Sequence, residues 1–367
     1  MSNSNIAQRY GNLKIVWHHE KLNSLLENKI TAPLYVRIKP TNKCNHNCFY
    51  CSYNPDIDNP NILSTNFKRQ DEIPQEKMME ILSDFKDIGV KAITYSGGGE
   101  PLIYPHIGEA FEKTLDYGID LSIITNGQKL NGKNAEQLAN SKWVRISLDA
   151  ADQKTFEQTR RVSGKLFYEL EENINNFAKI KKPECEFGIN FVVNHLNNTK
   201  IYEAAKFFKE HGVNHIKFTP RWIEHGWEEY HAPFKESSIE QIKRAQQELP
   251  EDNFENRFAI FDTYENDFNM TGVSERKYPK CYIMQTIPVI GADSKVYFCH
   301  DKTYTKNGAL GSIEDKSFKE LWFSEKAKEK FNNFNPKKEC QQHCTYDSRN
   351  ILINDSIRCY GDDLNFI

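Results

Sequence analysis

Between residues 33 and 250 short apolar runs alternate with longer stretches whose apolar residues recur every three or four positions. The runs 34–38, 91–96, 121–127, 144–149, 187–193 and 215–219 are rich in β-branched and aromatic residues and predict six strands. The amphipathic stretches near 75–89, 106–117, 131–141, 153–181, 199–211 and 239–249 predict helices. Strand, helix, strand at this rhythm implies right-handed crossovers and a parallel sheet. Six units fall short of a closed eight-stranded barrel of about 250 residues, so the expected fold is α/β, a partial (β/α)6 TIM barrel. Polar residues at strand C-terminal ends line the site in such barrels. Thr41, Ser96, Asn126, Asp149, Asn194 and Arg221 hold those positions.

Beyond residue 250 the pattern changes. Residues 251–280 are rich in Asp, Glu, Asn and aromatics and read as a bridge. After Cys281 an apolar run, the turn Gly291-Ala292-Asp293-Ser294 and the run Lys295-Val296-Tyr297-Phe298-Cys299 predict a β-hairpin, followed by a helix over 316–331. The expected division is an N-terminal extension 1–32, a core 33–250, a bridge 251–280 and a C-terminal domain 281–367.

Composition narrows the function. With 38% hydrophobic residues, no apolar run near 18 residues and a polar start, the chain shows neither a membrane span nor a signal peptide; the expected location is the cytoplasm. A net charge of −3 with only short basic runs gives no footprint for nucleic acid. Nine cysteines, an odd number, disfavour a disulfide framework. They gather at 44–51 and 281–359, as metal ligands do, while Cys185 stands alone and reads as a buried strand residue.

Cys44, Cys48 and Cys51 are spaced C-x3-C-x2-C. Three thiolates on one loop can ligate three irons of a 4Fe–4S cube and leave the fourth open. Zinc is the competing reading, although zinc loops favour paired C-x2-C knuckles. The string Asn42-Lys43-Cys44-Asn45-His46-Asn47-Cys48-Phe49-Tyr50-Cys51 resembles the signature of the radical S-adenosylmethionine (radical SAM) enzymes. The resemblance implies that SAM binds the open iron and that Tyr50 lies near its adenine. Gly98, Gly99 and Glu100, preceded by an extra Gly97, resemble the family's GGE motif, which binds the SAM amino group. Thr125-Asn126-Gly127 resembles its TNG turn. Ser147 and Asp149 resemble positions that approach the ribose, and Arg160 the arginine that pairs with the SAM carboxylate, with adjacent Arg161 leaving the register open.

The C-terminal cysteines resemble the SPASM/twitch extension of the same family. A full SPASM region has seven cysteines for two auxiliary clusters; five remain here, enough for one. The implied ligands of this auxiliary 4Fe–4S cluster are Cys281, Cys299, Cys340 and Cys344, with Cys359 as alternate and His300 or His343 as lesser candidates. The cofactors implied are therefore two 4Fe–4S clusters and SAM, and the partners a small-molecule substrate and a reductant such as flavodoxin or ferredoxin. Zinc held by the four C-terminal cysteines stays open as well.

An auxiliary cluster beside a radical site points to oxidation of a substrate carbon, and the first expectation is dehydrogenation of a sugar, aminocyclitol or similar polar metabolite. The twitch relatives also include the cyclase of molybdenum-cofactor synthesis, which ends in a Gly-Gly pair that residues 364–367 lack. Maturation of a ribosomal peptide or protein is the second reading; only 32 residues precede the first strand, too few for a leader-binding module of about 80–90. A non-catalytic iron–sulfur or zinc scaffold is the third, and it has no use for Glu100. Asn190, Arg221, Glu224, His225 and Tyr230 are the substrate-contact candidates by position; no catalytic base is assigned.

Overall fold

A computed structural model describes residues 11–53, 65–223, 226–252, 257–264, 275–340 and 344–359. A short helix α1 (His19–Leu26) precedes the first strand, β1 (Tyr35–Ile38). The repeating units follow: α2 (Gln75–Ile88), β2 (Ala92–Tyr95), α3 (Ile107–Asp116), β3 (Asp120–Thr125), α4 (Gly132–Leu138) and β4 (Trp143–Ser147). Next come α5 (Gln153–Arg160), α6 (Leu166–Ile180), β5 (Glu186–Val193), α7 (Ile201–Glu210) and β6 (His215–Pro220). Two helices, α8 (Trp227–His231) and α9 (Lys235–Glu248), lead into β7 (Glu251–Asp252) and β8 (Arg257–Asp262). The rest is β9 (Val289–Ile290), β10 (Lys295–Tyr297), β11 (Ala309–Ser312), α10 (Phe318–Trp322), α11 (Glu325–Asn333), α12 (Pro336–Glu339) and α13 (Asp347–Arg358).

Helix α2 shows how sequence sets an element. Met78, Ile81, Leu82 and Phe85 recur at helical spacing and are fully buried. Each contributes about 1.5–3 kcal/mol by leaving water. The helix stops at Gly89, whose φ of 86° lies in the left-handed region that glycine enters without steric cost.

The six expected strands pair in parallel and in sequence order. Their helix-facing residues, among them Val36, Ile93, Leu121, Val144, Phe187 and Ile216, join one continuous core. The sheet extends beyond these six at both edges. The segment expected to act as a bridge supplies β8, parallel to β6, and β7, antiparallel to β8. On the other side β9 runs parallel to β1 and carries the hairpin strands β10 and β11. The order β11-β10-β9-β1-β2-β3-β4-β5-β6-β8-β7 leaves two edges, so the barrel is partial. Strands this short leave little periodic signal, and only their distant partners reveal them.

The N-terminal segment packs against the C-terminal region: Leu25 of α1 clusters with Tyr282, Ile283, Tyr346 and Ile353. Among the described residues no helix is long and apolar enough to cross a membrane.

Candidate active site

The loop after β1 carries Cys44, Cys48 and Cys51, all free thiols lining a cavity of about 310 Å³. Three other parts of the chain hold its backbone. Asn47 N–H donates to Arg160 O (3.0 Å) and Phe49 N–H to Thr159 O (3.3 Å), both at the end of α5. Asn42 N–H donates to Asp71 O (2.9 Å), and Glu100 N–H to Lys43 O (2.8 Å). The loop is thereby set in place by hydrogen bonds that do not involve its thiols.

The glycine turn is glycine because it lies against that loop. A Cβ on Gly99 would sit 1.8 Å from Lys43 O and 2.5 Å from Asn42 C, both backbone atoms. One on Gly98 would sit 2.1 Å from Asn42 Oδ1, and one on Gly97 1.6 Å from Gly99 O. Gly99→Ala is therefore expected to cost about 2–3 kcal/mol and to separate the turn from the cysteine loop. Thermal melting together with SAM binding by the iron-loaded variant checks this; a wild-type melt with wild-type SAM affinity would refute it.

Glu100 then points its carboxylate into a buried pocket. Oε1 accepts from Leu102 N (2.9 Å) and Thr125 Oγ1 (2.6 Å), and Oε2 accepts from Asn126 N (2.6 Å). Burial pushes its pKa up while these three donors pull the other way. A carboxylate has about four acceptor positions, so one stays available to an ammonium group at the cavity wall. Thr125 and Asn126 hold Glu100 in place, and Asn126 Nδ2 also donates to Asn45 Oδ1 (2.7 Å) on the cysteine loop.

A second web joins β4, α5 and the loop. Asp149 is fully buried; its Oδ1 accepts from Val192 N (2.9 Å), and its Oδ2 lies 3.0 Å from Arg160 Nη2 and accepts from the Tyr50 hydroxyl. Arg160 also donates to Ser147 O and, through Nη1, to Cys48 Sγ (3.3 Å). Burial pushes the Asp149 pKa up while Arg160 pulls it down. The Arg160/Arg161 ambiguity is resolved by helix geometry. Asp152 caps α5, accepting from Thr155 N (2.9 Å), and Arg161 ends it in a left-handed turn (φ 50°) that sends its side chain outward. Arg160 faces inward and lines the cavity with Ser147.

These donors fit an iron–sulfur cluster. Burial, then Glu100 and the neighbouring thiols, push Cys44 up to about 12; burial and Cys48 push Cys51 up to about 11. An adjacent iron cation removes that penalty by stabilising the thiolates. Among the described residues no three His, Cys, Asp or Glu side chains close tightly on one ion. Ligands of separate irons stand further apart than ligands of one zinc.

Cys281, Cys299 and Cys344 border one apolar cluster with Leu25, Tyr282 and Tyr346, and Cys340 acts electrostatically on Cys281 and Cys299. The thiol of Cys299 feels Cys281, Cys344 and Cys340, and burial pushes it well above its ordinary value. Arg276 frames the group: Nε donates to Cys340 O (3.1 Å) and Nη1 pairs with Asp347 (2.8 Å). Cys359 is exposed at the far end of α13, whose twelve residues separate it from the N-terminal end near Cys344 by about 18 Å. The alternate ligand thus lies apart from the other four, and His343 lies outside the described residues.

Of the substrate candidates, Asn190 faces the barrel interior and donates to Thr219 Oγ1 (3.3 Å). Arg221 stacks between Phe49 (4.8 Å) and Tyr230 (5.0 Å), and the Tyr230 hydroxyl meets His195 Nδ1 (2.7 Å). That stack braces the cysteine loop from behind. Glu224 and His225 lie outside the described residues.

The sequence reading missed Lys39 and Tyr53. Lys39 is fully buried; Nζ donates to the Tyr53 hydroxyl and to Gly97 O, both at 2.9 Å. Tyr53 stands within electrostatic reach of both Cys51 and Cys299, between the two cysteine groups. A lysine at a strand end ordinarily reads as solvated, and nothing local marks this one.

Comparison with known proteins follows from this geometry. The sequence model of the radical SAM superfamily matches residues 38–207, and that of SPASM, an iron–sulfur cluster-binding domain, matches residues 281–345. The probable GTP 3′,8-cyclase of Pyrococcus abyssi is 32% identical over 175 residues, 47% of this chain and 52% of that protein. The S-adenosylmethionine-dependent nucleotide dehydratase of Lacinutrix mariniflava is 25% identical over 191 residues, 50% of this chain and 37% of that protein. The chain spans about half the length of the first of these curated relatives and less of the second. Among solved structures, Streptococcus suis SuiB bound to S-adenosylmethionine aligns with a TM-score of 0.61 at 20% identity, covering 86% of this chain and 72% of that one. Native anSMEcpe with bound AdoMet aligns with a TM-score of 0.58 at 19% identity, covering 89% and 97%. At such identities the structures attest the fold.

Proposed function

The chain belongs to the radical SAM superfamily and carries a SPASM domain, and from that premise we propose that it removes a hydrogen atom from a small polar substrate bound between its two cysteine groups. When bound, the cluster and SAM supply a one-electron cleavage that makes a hydrogen-abstracting radical, and an auxiliary cluster supplies an electron acceptor.

The chain's own residues position and seal. Cys44, Cys48 and Cys51 hold three irons, and Glu100 offers its remaining acceptor position to the SAM amino group. Tyr50 and Ser147 border the nucleoside side of the cavity, and the Asp149–Arg160 pair holds the loop against β4. Tyr304 packs edge to face against both Tyr53 and Phe67, and Tyr53 and Phe67 line the cavity wall.

Net two-electron oxidation is the reaction class proposed. The observation that supports it is a second group of free thiols, Cys281, Cys299 and Cys344, around one apolar cluster. The names of the sequence relatives speak of nucleotides. They do not single out the sugar or aminocyclitol expected from the sequence, so the substrate class proposed is a small polar metabolite, nucleotides included.

Anaerobic incubation of the reconstituted protein with SAM, dithionite and deuterated candidate metabolites tests the reading. Release of 5′-deoxyadenosine carrying substrate deuterium, with an oxidised product, is expected. A reconstituted protein that leaves SAM intact under strong reductant overturns it.

A further inference from the structure

The inner face of the barrel carries cations that its own acids do not neutralise. On β4 the residues alternate: Val144 and Ile146 enter the core, while Trp143, Arg145 and Ser147 face inward and stay partly exposed. Asn190 and Val192 on β5, and Lys217 and Thr219 on β6, are likewise inward and partly exposed although their strands are central. An interior that solvent reaches from central strands is a lumen. Ser147 and Val192 also line the cavity beside the cysteine triad, so the lumen opens into it.

Arg37 on β1 and Arg145 on β4 face this lumen, with Lys39 just beyond β1. All three act electrostatically on His300, and the registers of β1 and β4 put Arg37 and Arg145 on the same inner face of the sheet. Among the described residues the buried Nε atoms of Arg37 and Arg145 have no hydrogen-bond partner, although Arg37 also bonds the Tyr346 side chain, and Arg37 is about nine-tenths buried. Among the described residues, no carboxylate forms an ion pair with Arg37, Lys39 or Arg145. The nearby acids hold other partners, although Asp301 also acts on Lys39 at longer range. Glu186 meets His215 (3.1 Å) and Arg257 (3.7 Å), and Asp301 accepts from Thr345 N (2.9 Å) and Oγ1 (2.8 Å). Holding such charges out of water is costly unless an anion meets them.

We propose that Arg37, Arg145 and Lys39 form an oxyanion floor that holds the phosphate group of a phosphorylated small-molecule substrate, leaving its remaining part to extend toward the cysteine triad. This rests on the substrate position proposed above. Burial holds Lys39 well below the ordinary lysine value, so the positive charge of the floor is that of the two guanidinium groups, which exceeds what one carboxylate balances. Two guanidinium forks, with the Lys39 amine as a further donor, match the several oxygens of a phosphate or diphosphate.

The test uses inorganic pyrophosphate with the iron-loaded, SAM-bound full chain under anaerobic conditions, followed by calorimetry. The wild type is expected to bind, with affinity falling as salt rises. Arg145→Gln and Arg37→Gln should each weaken binding by about tenfold or more, and Arg145→Lys by less, because it keeps the charge and loses the fork. Lys142→Gln, at an exposed pair with Asp120, should leave binding unchanged. Citrate tests the carboxylate alternative and should bind at least about tenfold more weakly. Absence of pyrophosphate binding by wild type, equal binding by the Arg37→Gln/Arg145→Gln double variant, or citrate binding as tight as pyrophosphate each overturns the phosphate floor. Substrate-free SAM cleavage, measured in parallel, separates the two readings: if it persists while pyrophosphate fails to bind, only the floor is lost.

Discussion

Alanine at Cys44, Cys48 or Cys51 is expected to lower SAM cleavage to background, by at least about a thousandfold, while the fold persists. On the proposed reading the three thiols are the loop's iron ligands, and two of them would not retain a cube that must also keep one iron open. The loop's backbone, however, is held mainly by its bonds to Arg160, Thr159, Asp71 and Glu100, with the thiols of Cys44 and Cys48 accepting only one further bond each from His46 N and Arg160. Iron and sulfide should drop from about eight of each per chain to about four, the auxiliary cube surviving. Alanine at Cys281, Cys299, Cys340 or Cys344 should show the same drop but leave substrate-free SAM cleavage largely intact. Alanine at exposed Cys359 should leave the iron content alone. Iron assays and deoxyadenosine release on the same samples decide the matter, and full cleavage by a triad variant would end the interpretation.

Asp149→Asn is the second large effect. The substitution keeps the shape of the side chain but leaves the Arg160 guanidinium buried beside a neutral amide, with Cys48 Sγ as its remaining soft acceptor. Removing one member of a buried ion pair costs about 3–5 kcal/mol, because the other charge stays without water or partner. For a chain of this size that lowers the melting temperature by about 5–15 °C. Val192 N keeps a carbonyl oxygen to donate to, but the Tyr50 hydroxyl loses the carboxylate oxygen Oδ2 as its acceptor, so the cysteine loop should loosen and SAM affinity fall with stability. The paired replacement Asp149→Leu/Arg160→Met removes both charges and should recover much of the melting temperature without restoring SAM binding. A single Asn variant that melts within about 2 °C of wild type would show that the pair contributes little.

The six parallel strands, the cysteine triad and the glycine–glutamate turn were legible from residues alone. Each depends on neighbours in sequence: alternation within a strand, thiols on one loop, glycines ahead of a carboxylate. The flanking strands β8 and β9 were not legible, because short strands are defined by partners far along the chain. The reason for the glycines was likewise hidden. Gly99 is required by the backbone of Asn42 and Lys43 and Gly98 by the Asn42 side chain, far earlier in the chain, which no local pattern reveals.

Side-chain assignment divides the same way. Sequence singled out Arg160 after β4 with adjacent Arg161 leaving the register open; the left-handed end of α5 buries the first and exposes the second, since one residue's rotation changes the face it presents. Five C-terminal cysteines were visible, yet the intervening rigid helix α13 is what sets Cys359 apart from the other four. Lys39, Arg37 and Arg145 are single basic residues in or beside apolar strands. Their meaning lies in the space they share, and that space exists only once the sheet has curved. What the chain settled unaided was its chemistry, because ligand type and spacing are local properties. Which charged groups face one another was decided by the curvature of the sheet, since an electrostatic partner is a neighbour in space and not in sequence.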